Sequence, residues 1–268
     1  MNYRGTIAYR SNLGAQLSEG FLHSVVMAWD FLNKNYSGRP GEVIEVNDIH
    51  APLPKFNFHF MRGLSCMPDE SANQIADTFL GDWVLMLDTD HVFAADAFYE
   101  MVTTFEENNL DVLVGFTQKR AAPYHPVIYK TDFNALVDFE TIFPDPIQRQ
   151  TLIPIDSSGA ACLMVRRKVF DQIKMNGERP FQPRSKFNAL TLRRDTIDLR
   201  EIANKMYYFS LPDGRNIFET FSEDSSFFWR AKMLGFQAYC APWIKFHHLA
   251  TVLVEESMIQ RDDSPIPK

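Results

Sequence analysis

The chain has 268 residues, 46% of them hydrophobic, with a net charge of -7 and a pI near 5.5. That suffices for one sizeable core, in a single large α/β domain or two small ones, and it argues against a protein that tracks a nucleic-acid backbone over its whole surface, leaving room only for a local basic patch. Cys66, Cys162 and Cys240 form no CxxC pair, MNYRGTIAYR carries no leader pattern, and no apolar run approaches the ~20 residues of a membrane span, so the expectation is a reduced, cytoplasmic protein without a membrane span, disulfide frame or zinc knuckle.

Thr6-Ile7-Ala8-Tyr9 reads as a first strand. Residues 18–32 read as a helix with Phe21, Leu22, Val25, Val26, Trp29 and Leu32 on one stripe. A second strand is expected over 42–46, ending at Asn47-Asp48, and Pro52 and Pro54 mark a loop. Ser71 to Leu80 reads as a helix that Pro68-Asp69 opens. Residues 82–88 hold five consecutive apolar residues, the pattern of a strand buried on both faces in a mainly parallel sheet. A helix over 95–107 and a strand over 111–116 continue the alternation, so the class is α/β.

The second half is less regular. Short strands are expected at 127–129 and 160–165, and a helix at 167–174. Residues 133–155 show no clear period, and 177–216 are polar and loop-like, with a helix near 196–206. Ser222 to Leu234 is a well-signalled helix: Ser222 suits its cap, Glu223 and Asp224 its positive end, and Gly235 its C′ position. A last strand over 237–241 leads to Phe246-His247-His248, and the tail from Glu255 is charged and loose.

Asp88-Thr89-Asp90 stands where the buried strand stops. In open α/β sheets ligands bind beyond the carboxyl ends of strands. Residues two apart in an extended chain point to the same side, and two carboxylates so placed can hold a hard divalent cation with room for phosphate. Alone the triplet says little, since Asp is also an ordinary strand-end turn residue. Likewise Glu223-Asp224 could be plain helix capping. Of the adjacent His247 and His248, which point opposite ways in an extended segment, at most one would bind a metal.

Four stretches together resemble the metal-dependent glycosyltransferases of the GT-A fold, particularly the family 2-like branch and its phage and bacterial relatives. They are FLGDWVLMLDTDHVF, VGFTQKRAAPYHPVIY, IDSSGAACLMVRRKVFDQI and FSEDSSFFWRAKMLGFQAYCAPWIKFHHLA. The last, an acidic helix start followed by an aromatic helix, a Leu-Gly-Phe exit, a strand and a His, is the most specific. The resemblance runs from the first strand to about residue 250. It implies a Rossmann-like, mostly parallel central sheet flanked by helices, with a smaller acceptor-side region. It divides one domain into a nucleotide-sugar half at 1–117, an acceptor half at 118–250 and a tail at 251–268.

The resemblance also implies roles. Asp90 is the metal ligand, for Mn²⁺ or Mg²⁺, and Asp88 contacts the ribose or the metal shell, with Thr89 between them. The late His ligand matches His248 best and His247 next. Tyr9, Arg10 and Asp48 stand at strand ends that hold the base of a UDP- or GDP-sugar, though Tyr-Arg-Ser departs from the Pro or Thr of many relatives. Asn73 sits where relatives carry an Arg-Asn pair; Ala72 replaces the Arg, so the phosphate contact from that point is missing or comes from elsewhere, with Arg62 as a candidate. Ser158, Gly159 and Ala160 match the loop lining sugar and acceptor. Asp224, beside Glu223, matches the general base of inverting members. His91 receives no role.

Arg179, Arg184, Lys186, Arg193 and Arg194 lie in 179–194 with Phe181 and Phe187 and without an acid. Basic residues interleaved with aromatics suit an anionic acceptor, nucleic acid or a phosphate-bearing glycan or lipid, although a solvated insert has the same composition. Two other readings remain. A nucleotidyltransferase would carry a Gly-rich loop after the first strand, where RSNLGAQ offers one Gly, and an inactive GT-A-like binding module would have lost part of an acidic set that is complete here.

Overall fold

A computed structural model describes residues 3–11, 17–36, 58–65, 67–120, 124–131, 139–145, 150–185 and 220–249. Its frame is an α/β fold around a mixed, mostly parallel sheet. Along the chain come β1 (Gly5–Ser11), α1 (Glu19–Asn35), β2 (Phe58–Leu64), α2 (Pro68–Thr78), β3 (Trp83–Asp88), β4 (His91–Phe93), α3 (Ala97–Glu107) and β5 (Val112–Phe116). After these come β6 (Ile128–Lys130), β7 (Glu140–Thr141), β8 (Ile153–Ile155), β9 (Ser157–Ser158), β10 (Cys162–Arg166) and α4 (Arg167–Met175). The pair β11 (Arg184–Ser185) and β12 (Thr220–Phe221), helix α5 (Glu223–Met233) and β13 (Ala238–His248) complete the described elements.

The sheet runs β2-β1-β3-β10-β5-β13-β4, with β8 also on β13. Parallel pairing joins β1 to β2 and β3, and β5 to β13, while β10, β4 and β8 run against them. The parallel strands therefore end on one edge, and that edge carries the residues of interest.

β3 explains the layering. Trp83 through Leu87 are each at most 1% exposed. Side chains alternate across a strand, so Trp83, Leu85 and Leu87 join one core with Phe21, Leu32, Phe98, Met101 and Phe105 of α1 and α3. Val84 and Met86 join the other, with Ile75, Phe170 and Phe227 of α2, α4 and α5. Burying each such side chain contributes about 1.5–3 kcal/mol, which is why a continuous apolar run fits here and an alternating one would not.

The caps are local. Ser18 and Ser222 accept the Phe21 and Ser225 amides at the starts of α1 and α5, at 3.1 and 3.2 Å. Pro68 opens α2. Gly235, at φ +85°, ends α5 in the left-handed region that favours glycine.

Several expectations need correction. On α1, Leu22 and Val26 are 44% and 64% exposed, and the buried stripe is Phe21, Val25, Ala28 and Leu32. Residues 58–64 form a strand where the Pro-rich approach suggested only loop. The last strand runs on from Ala241 to His248 through an irregularity between Ala241 and Lys245, a segment containing Pro242, which has no amide to give a ladder. Cys162 and Cys240 are buried and free. No described helix is long and apolar enough to cross a membrane. The expected strand at 42–46 with Asp48, the helix at 196–206, Cys66 and the tail lie outside the described residues.

Candidate active site

Parallel pairing sets Arg10, near the end of β1, opposite Asp88 at the end of β3. Nε and Nη2 of Arg10 both lie 2.7 Å from Asp88 Oδ1. Its Nη1 donates to Asp224 Oδ1 at 3.2 Å and stands 3.8 Å from Glu223 Oε1. Arg10 is 8% exposed, so one buried guanidinium serves three carboxylates from two distant parts of the chain. Burial works against its charge, but Asp88, Asp224 and Glu223 outweigh that and hold it firmly protonated.

The second oxygen of Asp224 accepts the Ala160 amide at 2.9 Å. The Asp88 amide in turn donates to Ala161 O at 3.0 Å, so the loop after β9 spans both acids. A Cβ on Gly159 would stand 3.3 Å from Val127 Cγ1 and 3.9 Å from Asp224 Oδ2, which puts this backbone beside the carboxylate. Ser158 Oγ donates to Val127 O at 2.7 Å. Burial raises the Asp224 carboxyl above the ordinary range; Arg10 opposes the shift and Asp88 adds to it. Burial and Asp224 raise Glu223 likewise. A helix N-terminus alone would have lowered both.

Beyond Asp88 the chain turns through the half-buried Thr89 and Asp90 into β4. Antiparallel pairing sets His248 of β13 opposite His91. One ligand-capable atom from each of Asp90, His91 and His248 lies within 4.8 Å of the other two. Asp90 Oδ1 and both ring nitrogens of His91 are buried without a hydrogen-bond partner among the described residues. His248 Nδ1 lies 2.5 Å from Gln118 O, and since a carbonyl only accepts, this nitrogen carries the proton and Nε2 keeps a lone pair. Arg120 reaches the outer oxygen of Asp90. Burial lowers His91 to about 4 and also lowers His248, assisted by His91, so both imidazoles are neutral at pH 7. An orphaned carboxylate oxygen beside neutral imidazoles fits a divalent cation.

The two groups adjoin. Asp88 acts electrostatically on Asp224 and also on His91 and His248. A pocket of about 130 Å³, lined by Phe116, Lys119, Arg120, Tyr124 and His248 among others, opens on the imidazole side.

The remaining residues singled out in the sequence fall as follows. Tyr9 is half-buried, edge-on to Phe21 at 5.9 Å and tilted on Phe60 at 5.6 Å. Arg62 pairs across from Tyr9 and donates to Ser11 Oγ at 2.8 Å. Asn73 is buried in α2, and its Oδ1 accepts the Phe181 amide at 3.0 Å, a bond between α2 and the segment after α4. His247 is exposed. Arg179 makes a bidentate pair with Glu70, both distances 3.0 Å, and 186–194 lie outside the described residues. Sequence reasoning missed Arg10 as the hub of the acids and left His91 aside. The only signal for either was its place at a strand end, and the pairing that gives it meaning is non-local.

A strand-end acidic pair, a second acid at a late helix start and an imidazole returning beside the first pair thus meet on one edge of the sheet. Residues 69–174, from α2 to the end of α4, match the family described as Glycosyl transferase family 2. Among solved structures it is similar to A197 from STIV, at 14% identity over 94% of this chain and 87% of that one, with a TM-score of 0.44. It is also similar to S. aureus TarS 1-349, at 11% identity over 92% of this chain and 60% of that one, with a TM-score of 0.40. No curated protein matches the chain in sequence.

Proposed function

We propose that the protein moves a sugar, a hexose in the first instance, from a nucleoside-diphosphate sugar to an acceptor hydroxyl, with a divalent cation, Mn²⁺ or Mg²⁺, held by Asp90 and His248. The observation that carries this is the convergence of Asp88, Asp90, Asp224 and His248 on the sheet edge where the parallel strands end. When bound, the cation neutralises charge growing on the departing diphosphate.

The side chains divide the remaining work. Asp224 takes the proton of the acceptor hydroxyl; burial makes it a stronger base than an exposed aspartate, and Arg10 keeps it ionised. Arg10 also fixes its orientation together with the Ala160 amide. Asp88, held by Arg10 through Oδ1, has its other oxygen for the ribose. Tyr9 and Asp48 belong to the base-binding side of the 1–117 half. The Ser158–Ala160 backbone lines the sugar, and Lys119 and Arg120 approach the diphosphate from the pocket side. The acceptor enters through the 118–250 half. An anionic acceptor would use 179–194, where Arg179 is already committed to Glu70 and the other cations must do the binding.

The test is thermal stabilisation by UDP, GDP, CDP and TDP, each with and without Mn²⁺, followed by slow hydrolysis of a panel of nucleotide-sugars. Cation-dependent stabilisation by one diphosphate, and release of that sugar, are expected. A response to nucleoside triphosphates alone would instead mark a nucleotidyltransferase.

A further inference from the structure

We propose that His91 is a third protein ligand of the cation site, and that the site it completes selects transition-metal ions such as Mn²⁺ over Mg²⁺. This rests on reading Asp90 and His248 as cation ligands.

His91 is 1% exposed, yet both of its ring nitrogens lack a hydrogen-bond partner among the described residues. A buried imidazole normally satisfies at least one nitrogen, and an orphan of this kind calls for an explanation such as an ion. The neighbouring orphan is Asp90 Oδ1, 2.9 Å from His91 Nδ1 but without the alignment of a hydrogen bond. Two ligands bound at about 2.1 Å and at a right angle to each other stand about 3.0 Å apart. The contact therefore has the spacing of two donors sharing an ion.

The third donor arrives by strand pairing. β13 brings His248 opposite His91, with ring centroids 4.0 Å apart and planes at 46°. The Leu249 amide donates to Asp90 O at 2.7 Å, closing the ladder just where the three side chains meet. The proton of His248 is engaged by the Gln118 carbonyl, an arrangement that orients metal-bound histidines. One ligand atom from each of the three residues lies within 4.8 Å of the other two.

The donor set then decides the ion. Two imidazoles and one carboxylate suit Mn²⁺, Fe²⁺, Co²⁺ and Zn²⁺, whereas Mg²⁺ takes oxygen ligands and keeps most of its water. A site of Asp90 and His248 alone would discriminate far less. With three protein ligands, other coordination positions stay open to diphosphate oxygens.

The experiment uses the full chain and the metals alone. Mn²⁺ and Mg²⁺ are titrated calorimetrically into the wild type and into His91→Asn, His248→Asn and Asp90→Asn. Pulsed EPR of the Mn²⁺-loaded wild type counts directly bound nitrogens without any substitution. Two bound nitrogens are expected in the wild type and one in either histidine variant. Mn²⁺ should bind the wild type at least about tenfold more tightly than Mg²⁺, and His91→Asn should weaken Mn²⁺ by at least about tenfold, since even an outer-sphere partner is worth that much. One nitrogen in the wild type, or unchanged Mn²⁺ affinity in His91→Asn while Asp90→Asn loses it, overturns the role of His91 and leaves the transferase reading intact. Unchanged Mn²⁺ binding in all three variants removes the cation site and this inference with it.

Discussion

Replacing Arg10 by Met tests the electrostatic core of the site. The substitution keeps an unbranched side chain but removes a guanidinium that lies 2.7 Å from Asp88 and 3.2 Å from Asp224. Three carboxylates are then left around a mostly buried point without a cation. Removing one partner of a buried ion pair costs about 3–5 kcal/mol, so at pH 7.5 a loss of that size is expected. For a chain of this length it corresponds to a fall in Tm of roughly 6–20 °C. The loss should depend on pH. Burial already raises the Asp224 carboxyl in the wild type, and Arg10 is what opposes the rise. Without Arg10 the folded pKa climbs further above the unfolded value of about 3.9. A carboxyl with a raised folded pKa favours folding at low pH and loses that contribution as pH rises through the folded value. The gap between wild type and Arg10→Met should therefore be wider at pH 7.5 than at pH 5. Urea denaturation at the two pH values measures it. A loss below about 1 kcal/mol at pH 7.5, the size of a surface pair, or an equal loss at both pH values, would refute the reasoning.

Asp224→Asn should lower kcat by about 10²–10⁴-fold, the range of general-base catalysis, while nucleotide-dependent thermal stabilisation stays within error; loss of nucleotide binding instead would assign Asp224 to the donor. Glu106, at the end of α3, accepts from Arg4 Nε at 2.8 Å, Trp83 Nε1 at 3.2 Å and the Tyr36 hydroxyl. Burial pushes its carboxyl up, but the bonds from Arg4, Tyr36 and Trp83 win and hold it below the usual range. Its stabilisation is thus present above the unfolded value of about 4.3 and lost as pH falls. Glu106→Gln should cost about 1–3 kcal/mol at pH 7 and progressively less below pH 4, read by chemical denaturation across that range; a constant cost would exclude the charge as its cause.

How much was legible in the sequence follows from how local each signal is. β3 was readable because both of its faces are buried, which imposes an unbroken apolar run. α5 was readable because Ser222 and Gly235 act within a turn of its ends. β2 was not, since five of its seven residues keep some exposure and Gly63 breaks the apolar pattern. The exposed Leu22 and Val26 misled the reading of α1 because an apolar stripe cannot say which of its edges meets the sheet. For the site, Asp88, Asp90 and Asp224 could be singled out as strand-end and helix-start acids. That His248 stands opposite His91 is set only by pairing with β4, more than 150 residues earlier. Arg10 as the common counter-ion was invisible for the same reason.

β13 serves two purposes, and they separate at Pro242. Up to Ala241 it is scaffold, laddered to β5 and β8; from Phe246 it is an arm that pairs with β4 and presents an imidazole. The irregular stretch between shifts the register, and Lys245 still pairs with Phe116 of β5 before the arm turns to β4. Ile244 is buried in the core that β3 shares with α1 and α3, and Trp243 packs against it, so a substitution at either would loosen that core as well as shift the arm. The segment that carries His248 to His91 is therefore tied to the stability of the scaffold, and the two would change together.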